Sequence, residues 1–477
     1  MNHTDQILFY LSEINKTPRK SQNSGPITDW LQSWGEAQGY KVKRDGYNNL
    51  VIRVPGTKGY EDSPLVVLQG HSDMVCEKLP ESDHNFETDP IVLVREGDWI
   101  RGDKTTLGAD NGIALALVMD LVSDEEAVHP PLEILITSDE EIGLVGANHL
   151  EEGFVEGKIL INLDSEDEGI FTIGCAGGAD SRMKIPLNSE EAGSGLKAYT
   201  LSVGGLKGGH SGMDINLNLG NALKMAERVL TSLVPFESFR LAELKGGSGA
   251  SNAICRDAVA HFTLSSDVDI QSIVSEWEQI FMNESGTVEE GLSLKLEDGP
   301  DVIRVLTKEA GQMILRIIRL IPHGVEKVSS VIEGLVETSS NLAWASISSE
   351  QADFLTSQRS AVMSELKDMN EKMVALSELA GGTCDTLNKY PSWKPNPESE
   401  LLKKSVDVYK KVTGKEPVVE AIHAGLECGL IGDAFSGMDM ISIGPTIKHP
   451  HTPEERLYVP SLEPFRFFMV ELLKSFK

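Results

Sequence analysis

Short, nearly unbroken apolar runs at residues 50–54, 65–69, 91–94, 132–137 and 159–163 predict strands, and their lack of alternation predicts burial on both faces. Helical patterns at 4–14 and 27–38 open the chain, the second with Pro26 just ahead as a start signal. Further helical stretches at 112–122 and 142–151 separate the later strands. This alternation predicts an α/β fold, a mainly parallel sheet with helices on both faces. Beyond Gly174-Cys175-Ala176-Gly177-Gly178 the texture changes to alternating strands such as 198–203 and 258–264, with helices near 220–233 and 268–282 and a helical region at 350–378. A second, α+β domain is therefore expected over residues 187–386. It would interrupt a discontinuous first domain made of 1–186 and 387–477, with the Pro-rich stretch Tyr390-Pro391-Ser392-Trp393-Lys394-Pro395-Asn396-Pro397 marking the return.

Length supports two domains, since 477 residues exceed the size at which one core keeps growing. A hydrophobic share of 40% and a charged share of 24% are those of a soluble globular protein, and no apolar run is long enough to span a bilayer. A net charge of −30 repels phosphate backbones and anionic lipid, so neither nucleic acid nor membrane is an expected partner. The start Met1-Asn2-His3-Thr4-Asp5-Gln6 lacks the basic and apolar blocks of a secretory signal, which makes a cytoplasmic address the expectation. Cys76, Cys175, Cys255, Cys384 and Cys428 are odd in number, scattered and without CxxC spacing, which argues against a disulfide framework and a thiolate zinc site.

The candidate chemistry lies where the apolar runs end. His71-Ser72-Asp73, Gly108-Ala109-Asp110-Asn111-Gly112, Asp139-Glu140-Glu141 and Asp164 follow strands or open helices, and His451 lies far downstream. In open sheets of this kind ligands sit beyond the carboxyl ends of the strands. Histidines and carboxylates without cysteine suit divalent zinc, manganese or cobalt, and a shared carboxylate can join two ions, so the pattern predicts a two-metal hydrolase. Asp73 falls two residues past His71, on the same side of an extended segment, where it can accept the second imidazole N–H. Other readings fare worse. Ser72 cannot join His71 and Asp73 in a serine triad because neighbours in a strand point to opposite faces. The glycines of Lys207-Gly208-Gly209-His210-Ser211-Gly212 lack the order of a phosphate-binding loop. Glu140 and Glu141 taken alone could be a charged helix start, Asp164 alone a turn residue, and His449 competes with His451 for the downstream position.

The runs His71-Ser72-Asp73-Met74-Val75, Gly102 to Gly112 and Ser138-Asp139-Glu140-Glu141 resemble the dinuclear zinc exopeptidases that include carboxypeptidase G2, aminoacylase and carnosinase. Lys207 to Gly212, Val336-Glu337-Thr338-Ser339-Ser340-Asn341-Leu342 and His423-Ala424-Gly425-Leu426-Glu427-Cys428-Gly429 are similar to the aminoacyl-histidine (Xaa-His) dipeptidases, the peptidase D group, over nearly the whole chain. The resemblance implies that Asp110 bridges two ions, with His71 and Asp164 on one and Glu141 and His451 on the other. It implies Glu140 as general base, with Asp73 behind His71, and His210 from an inserted lid and dimerisation domain as oxyanion stabiliser. Asn252, Arg359 and Gly425 match substrate-binding positions. The implied protein is a cytoplasmic homodimeric metallodipeptidase holding two ions, most readily Zn²⁺ with Mn²⁺ or Co²⁺ as alternatives. Its substrates would be small unblocked peptides, chiefly Xaa-His and including β-alanyl-histidine. A tripeptidase, a carboxypeptidase or an N-acyl amino acid deacylase would use the same mechanism, and a metal-holding peptide-binding protein without catalysis is the alternative from another class.

Overall fold

Three of the expected apolar segments, Leu132–Thr137, Val66–His71 and Ile159–Asn162, lie side by side with a fourth strand, Asp439–Ser442, in that order as parallel strands in the computed structural model, which describes residues 2–477. Their register aligns the carboxyl ends: His71 sits beside Thr137, and Gln69 beside Asn162, which in turn sits beside Ser442. Every residue of Val66–His71 and Leu132–Thr137 is buried, so both faces of the sheet are covered, as unbroken apolar runs require. The helix Ala109–Ser123 packs on Val66–His71 and is itself backed by the helix His3–Ile14; Glu400–Thr413 packs on Asp439–Ser442 and is backed by Leu462–Lys474.

The whole sheet has eight strands and is mixed rather than mainly parallel. Lys41–Arg44 and Leu50–Val54 add antiparallel to one side, Ile170–Cys175 antiparallel to the other. Only Lys41–Arg44 and Leu50–Val54 are joined by a short hairpin connection; the parallel centre needs crossovers. The run expected at 91–94 forms Leu93–Glu96 in a separate four-stranded sheet with Trp99–Gly102, Ile447–Lys448 and Arg456–Tyr458. That small sheet clamps the hairpin that carries His451. The helix expected at 142–151 is reduced to a 3-10 turn, Glu140–Ile142, and a single α turn, Val145–Asn148. Asp139, Gly143 and Leu144 all have positive φ, which interrupts a helix.

The chain divides into two compact units, the first running to Cys175 and including Trp393–Ala421 and Leu426–Lys477, the second comprising Ala176–Ser392 and Ile422–Gly425. The second unit holds a nine-stranded sheet, antiparallel in all its pairings. The helices Ala222–Leu233, Ile270–Ser285 and Lys308–Leu320 bury a common core against it. Boundaries drawn at 187 and 386 cut through this sheet, because Gly177–Pro186 pairs with both Gln351–Ser360 and Thr383–Tyr390. The segment 350–378 is helical only from Met363 onward; Gln351–Ser360 is a strand held between two long neighbours, a tertiary pairing that overrides local helix preference.

Within the first unit, the Phe468 ring stacks on Phe171 at 5.5 Å and meets Tyr409 edge-on at 5.3 Å, fully buried. Its neighbour Phe467 is 53% exposed. Phe468→Ala is expected to cost about 3–5 kcal/mol in chemical denaturation of the metal-free protein, and Phe467→Ala no more than about 0.5 kcal/mol. Equal effects would contradict this packing.

Candidate active site

His71 ends its strand and is buried, its backbone N–H donating to Oδ1 of Asn111 at 3.2 Å. Its Nε2 lies 3.1 Å from Oδ1 of Asp110 and 3.4 Å from Oδ1 of Asp164. The other Asp110 oxygen, Oδ2, is 3.0 Å from Nε2 of His451, which is 3.1 Å from Oε2 of Glu141. Asp110 thus stands between two imidazole–carboxylate pairs, one oxygen toward each. His71, Asp110, Glu141, Asp164 and His451, taken from separate stretches of sequence, meet at one place. His451 rather than His449 makes the contact.

The donor set fits divalent cations. It contains imidazole nitrogen and carboxylate oxygen with no thiolate, and donor atoms of His71, Asp110 and Glu141 lie within 4.8 Å of one another. Oε1 of Glu141 and Oδ1 of Asp164 are buried acceptors without a hydrogen-bond partner of good geometry. Burial raises the Asp164 carboxyl to about 6, with Asp110 and Glu141 adding to the rise against the pull of His71. Hydrogen bonds to Asp110 and Glu141 push His451 up to about 11. Burial opposes charge on His71, but Asp164, Asp110 and Asp73 outweigh it and lift the imidazole well above its usual range. So much acid in one place calls for positive charge, and the two imidazoles supply it by protonation where no metal does.

Asp73 organises the neighbouring turn. Oδ1 accepts the Glu140 N–H at 3.0 Å and lies 3.4 Å from Nδ1 of His71, while Oδ2 accepts from Ser21 at 2.7 Å and from the Glu141 N–H at 3.4 Å. Asp139, at φ 52°, accepts from the Gln22 N–H and the Ser24 hydroxyl, so the turn that aims Glu140 and Glu141 is fixed from both ends. Burial, reinforced by Asp164, Glu427 and Glu141 and opposed by His71, holds the Glu140 carboxyl well above the usual carboxylate range.

Three further supports are nearly silent in the sequence pattern. Arg19 is buried; Nη1 donates to the carbonyls of Asp73 (3.0 Å) and Ser72 (3.3 Å), Nη2 to Oδ1 of Asn15 (3.1 Å) and the Gly108 carbonyl. Gly108 has φ 68°, and a Cβ there would come within 2.3 Å of the guanidinium, so only glycine fits. Glu455 accepts from the N–H groups of Leu107 (2.7 Å), Gly108 (2.9 Å) and Asp110 (3.1 Å), tying the Asp110 loop to the hairpin that carries His451. Glu427, buried, accepts from Gln69 at 2.6 Å and Thr137 at 2.8 Å. Arg19 stands between Lys16 and Lys20 in a basic stretch that looks like solvated surface. The only hints of Glu455 and Glu427 are the short runs Glu454-Glu455 and Leu426-Glu427-Cys428 that hold them.

The second unit brings together the other expected residues. Nδ1 of His210 accepts the N–H groups of Gly212 (3.1 Å) and Met213 (3.2 Å), which leaves the proton on Nε2. Burial, with Arg359 next in weight, lowers its pKa and keeps it neutral. The Asn252 carbonyl accepts the Ser211 N–H at 2.8 Å, and His210 bridges to Ala253. Arg359 is buried, donates from Nη1 to the Tyr390 hydroxyl at 2.8 Å, and leaves Nε without a partner. Among the described residues no carboxylate forms an ion pair with it. Gly425 faces the same tyrosine ring, so closely that a Cβ would stand 2.9 Å from it. His423 meets the Ser339 hydroxyl at 2.7 Å and is pushed down to about 3 by burial and then by Arg359.

Residues 67–475 match the model of peptidase family M20/M25/M40. The chain is 36% identical, over 97% of its length and 96% of the relative's, to the cytosol non-specific dipeptidase of Escherichia coli. The crystal structure of an aminoacylhistidine dipeptidase from Vibrio alginolyticus superposes with a TM-score of 0.92 at 35% identity, covering 98% of this chain and 96% of that one. Aminopeptidase PepT from Bacillus cereus shares the fold, with a TM-score of 0.60 at 15% identity over 99% and 98% of the two chains. With the family match covering residues 67–475 and a 36%-identical relative aligned over nearly its whole length, the chain belongs to peptidase family M20/M25/M40.

Proposed function

We propose that this peptide-bond hydrolase is a dinuclear metallodipeptidase that cleaves unblocked dipeptides, Xaa-His and β-alanyl-histidine among them. The observation that carries the reading is Asp110, with one oxygen 3.1 Å from His71 and the other 3.0 Å from His451. His71 and Asp164 would hold one ion, Glu141 and His451 the other, with Asp110 shared; zinc is the first choice for this donor set, manganese and cobalt the alternatives. Bound there, such ions supply Lewis acidity toward the peptide carbonyl and the attacking water. Glu140 removes the water proton and returns it to the leaving amine. His210 offers Nε2–H to the developing oxyanion, a donor whose tautomer is set by the Gly212 and Met213 amides.

Arg359, buried and without a carboxylate partner, is the proposed anchor for the substrate carboxylate, with Asn252 and Gly425 completing the wall. The two relatives bear names of different breadth, one non-specific and one for aminoacyl-histidine. The expected preference for histidine within a wider dipeptide range accommodates both. A homodimer formed through the second unit and a cytoplasmic address complete the reading; no helix among the described residues is long and apolar enough to cross a membrane.

A substrate panel tests it. After chelation and restoration of zinc, manganese or cobalt, alanyl-histidine and β-alanyl-histidine should be cleaved while their N-acetylated forms, a tripeptide and N-acetyl-methionine are not; preference for blocked or longer substrates would refute the dipeptidase assignment. Glu140→Gln should lower kcat by about 10²–10⁴-fold with metal content and KM little changed. A variant as fast as the parent would remove Glu140 from the mechanism. Metal binding should also expel protons: both imidazoles are charged at pH 7 in the metal-free protein, and a ligand imidazole must be neutral. Zinc affinity should therefore rise with pH between about 6 and 8, and titration calorimetry in buffers of different ionisation enthalpy should report proton release. An affinity flat across that range would contradict the arrangement.

A further inference from the structure

The layer just beneath the expected ligands is polar on all four parallel strands. Gln69, Thr137, Asn162 and Ser442 are all buried, one on each of the four parallel strands. Thr137 Oγ1 and Gln69 Nε2 both donate to Oε2 of Glu427, at 2.8 Å and 2.6 Å. Gln69 Oε1 accepts from Asn162 Nδ2, and Asn162 Oδ1 accepts from the Ser442 hydroxyl and, at 3.2 Å, from the Asp164 N–H. One unbroken hydrogen-bonded row therefore crosses the tips of the four strands.

Three members of the row lie close in sequence to a group of the active site. Gln69 is two residues before His71 and shares its side of the strand; Asn162 is two before Asp164; Thr137 leads directly into Ser138, Asp139, Glu140 and Glu141. Thr137 is also bound through its carbonyl by the Ser72 N–H at 2.8 Å. Polar side chains in a sheet interior are costly unless every partner is in place, and they fix geometry when it is. Oε2 of Glu427 supplies the acceptor that Gln69 and Thr137 share.

We infer that Glu427 is a positioning residue of the metal centre, holding His71, Asp164 and the Glu140–Glu141 turn in register through Gln69, Asn162 and Thr137 without touching metal or substrate. The inference rests on the reading of His71, Glu141 and Asp164 as metal ligands. It gives a role to a residue that lies outside the ligand set and whose other oxygen, Oε1, has no partner.

The test uses the full chain and zinc alone as the probe. Zinc affinity of the metal-free protein is measured by competition with a chromophoric chelator, alongside its melting temperature, and kcat and KM for alanyl-histidine are measured with zinc restored. Glu427→Ala should weaken zinc binding by about 10–100-fold and lower kcat more than it raises KM. Glu427→Gln keeps a carbonyl acceptor in place and should recover most of the lost affinity. Thr137→Val, which keeps the side-chain shape, should weaken zinc binding in the same direction. Zinc affinity unchanged in Glu427→Ala, or as weak in Glu427→Gln as in Glu427→Ala, overturns the assignment. If Glu427→Ala does not fold, unchanged affinity in Thr137→Val overturns it. A parent chain that binds no zinc overturns the metal reading beneath it as well, so the two failures are distinguishable.

Discussion

The sharing of Asp110 between His71 and His451 is the contact on which the rest of the first unit depends. It places Asp110, Glu141 and Asp164 within reach of one another, a crowding of acid that repels itself unless cations stand among the carboxylates. No apolar core can enforce such an arrangement, because apolar packing is indifferent to where charges point. Directional contacts must do so, and they come from the backbone as much as from side chains. Glu455 gathers the amides of Leu107, Gly108 and Asp110, and Arg19 gathers the carbonyls of Ser72, Asp73 and Gly108. Acid and base thus meet at Gly108, Glu455 on its N–H and Arg19 on its carbonyl, each on the backbone group its charge prefers.

The fold makes these contacts possible by register. Parallel strands align their carboxyl ends, so residues far apart in sequence emerge at one level, and the side chains two positions lower form a layer of their own. His451 reaches the same level by another route, on a hairpin held by the small sheet of Ile447–Lys448 and Arg456–Tyr458. That hairpin also carries Glu455. One element therefore delivers both an expected ligand and the clamp on the loop opposite it, which couples the placement of His451 to that of Asp110.

Much of this was legible in the sequence because chemistry-bearing residues cluster where apolar runs stop. His71-Ser72-Asp73 and Asp139-Glu140-Glu141 each announce a strand end, and a run without alternation announces a strand covered on both faces. The misreadings have local causes. Gly143 and Leu144 in left-handed backbone break what the spacing of 142–151 suggests is a helix, and helix-favouring residues such as Gln351, Ala352 and Leu355 lie in a strand because neighbours pair on both sides. Arg19, Glu427 and Glu455 are invisible for a different reason. Such charged residues look solvated in a sequence, and their meaning comes from the backbone groups and amides that folding brings to them.

The two clusters differ in charge, and the difference bears on the proposed substrate. The first unit's cluster is rich in carboxylates; the second unit's is built from His210 and His423, both held neutral, and Arg359, which has no carboxylate partner. Arg359 itself contributes to that neutrality, since its charge opposes protonation of both histidines. A buried guanidinium that no internal acid offsets is costly to maintain in isolation, and an anionic ligand relieves that cost. Tyr390 accepts from the guanidinium through its hydroxyl while the tyrosine ring lies against Gly425. On the proposed reading, the anion that relieves this cost is a substrate carboxylate that arrives from outside. A free dipeptide brings such a carboxylate.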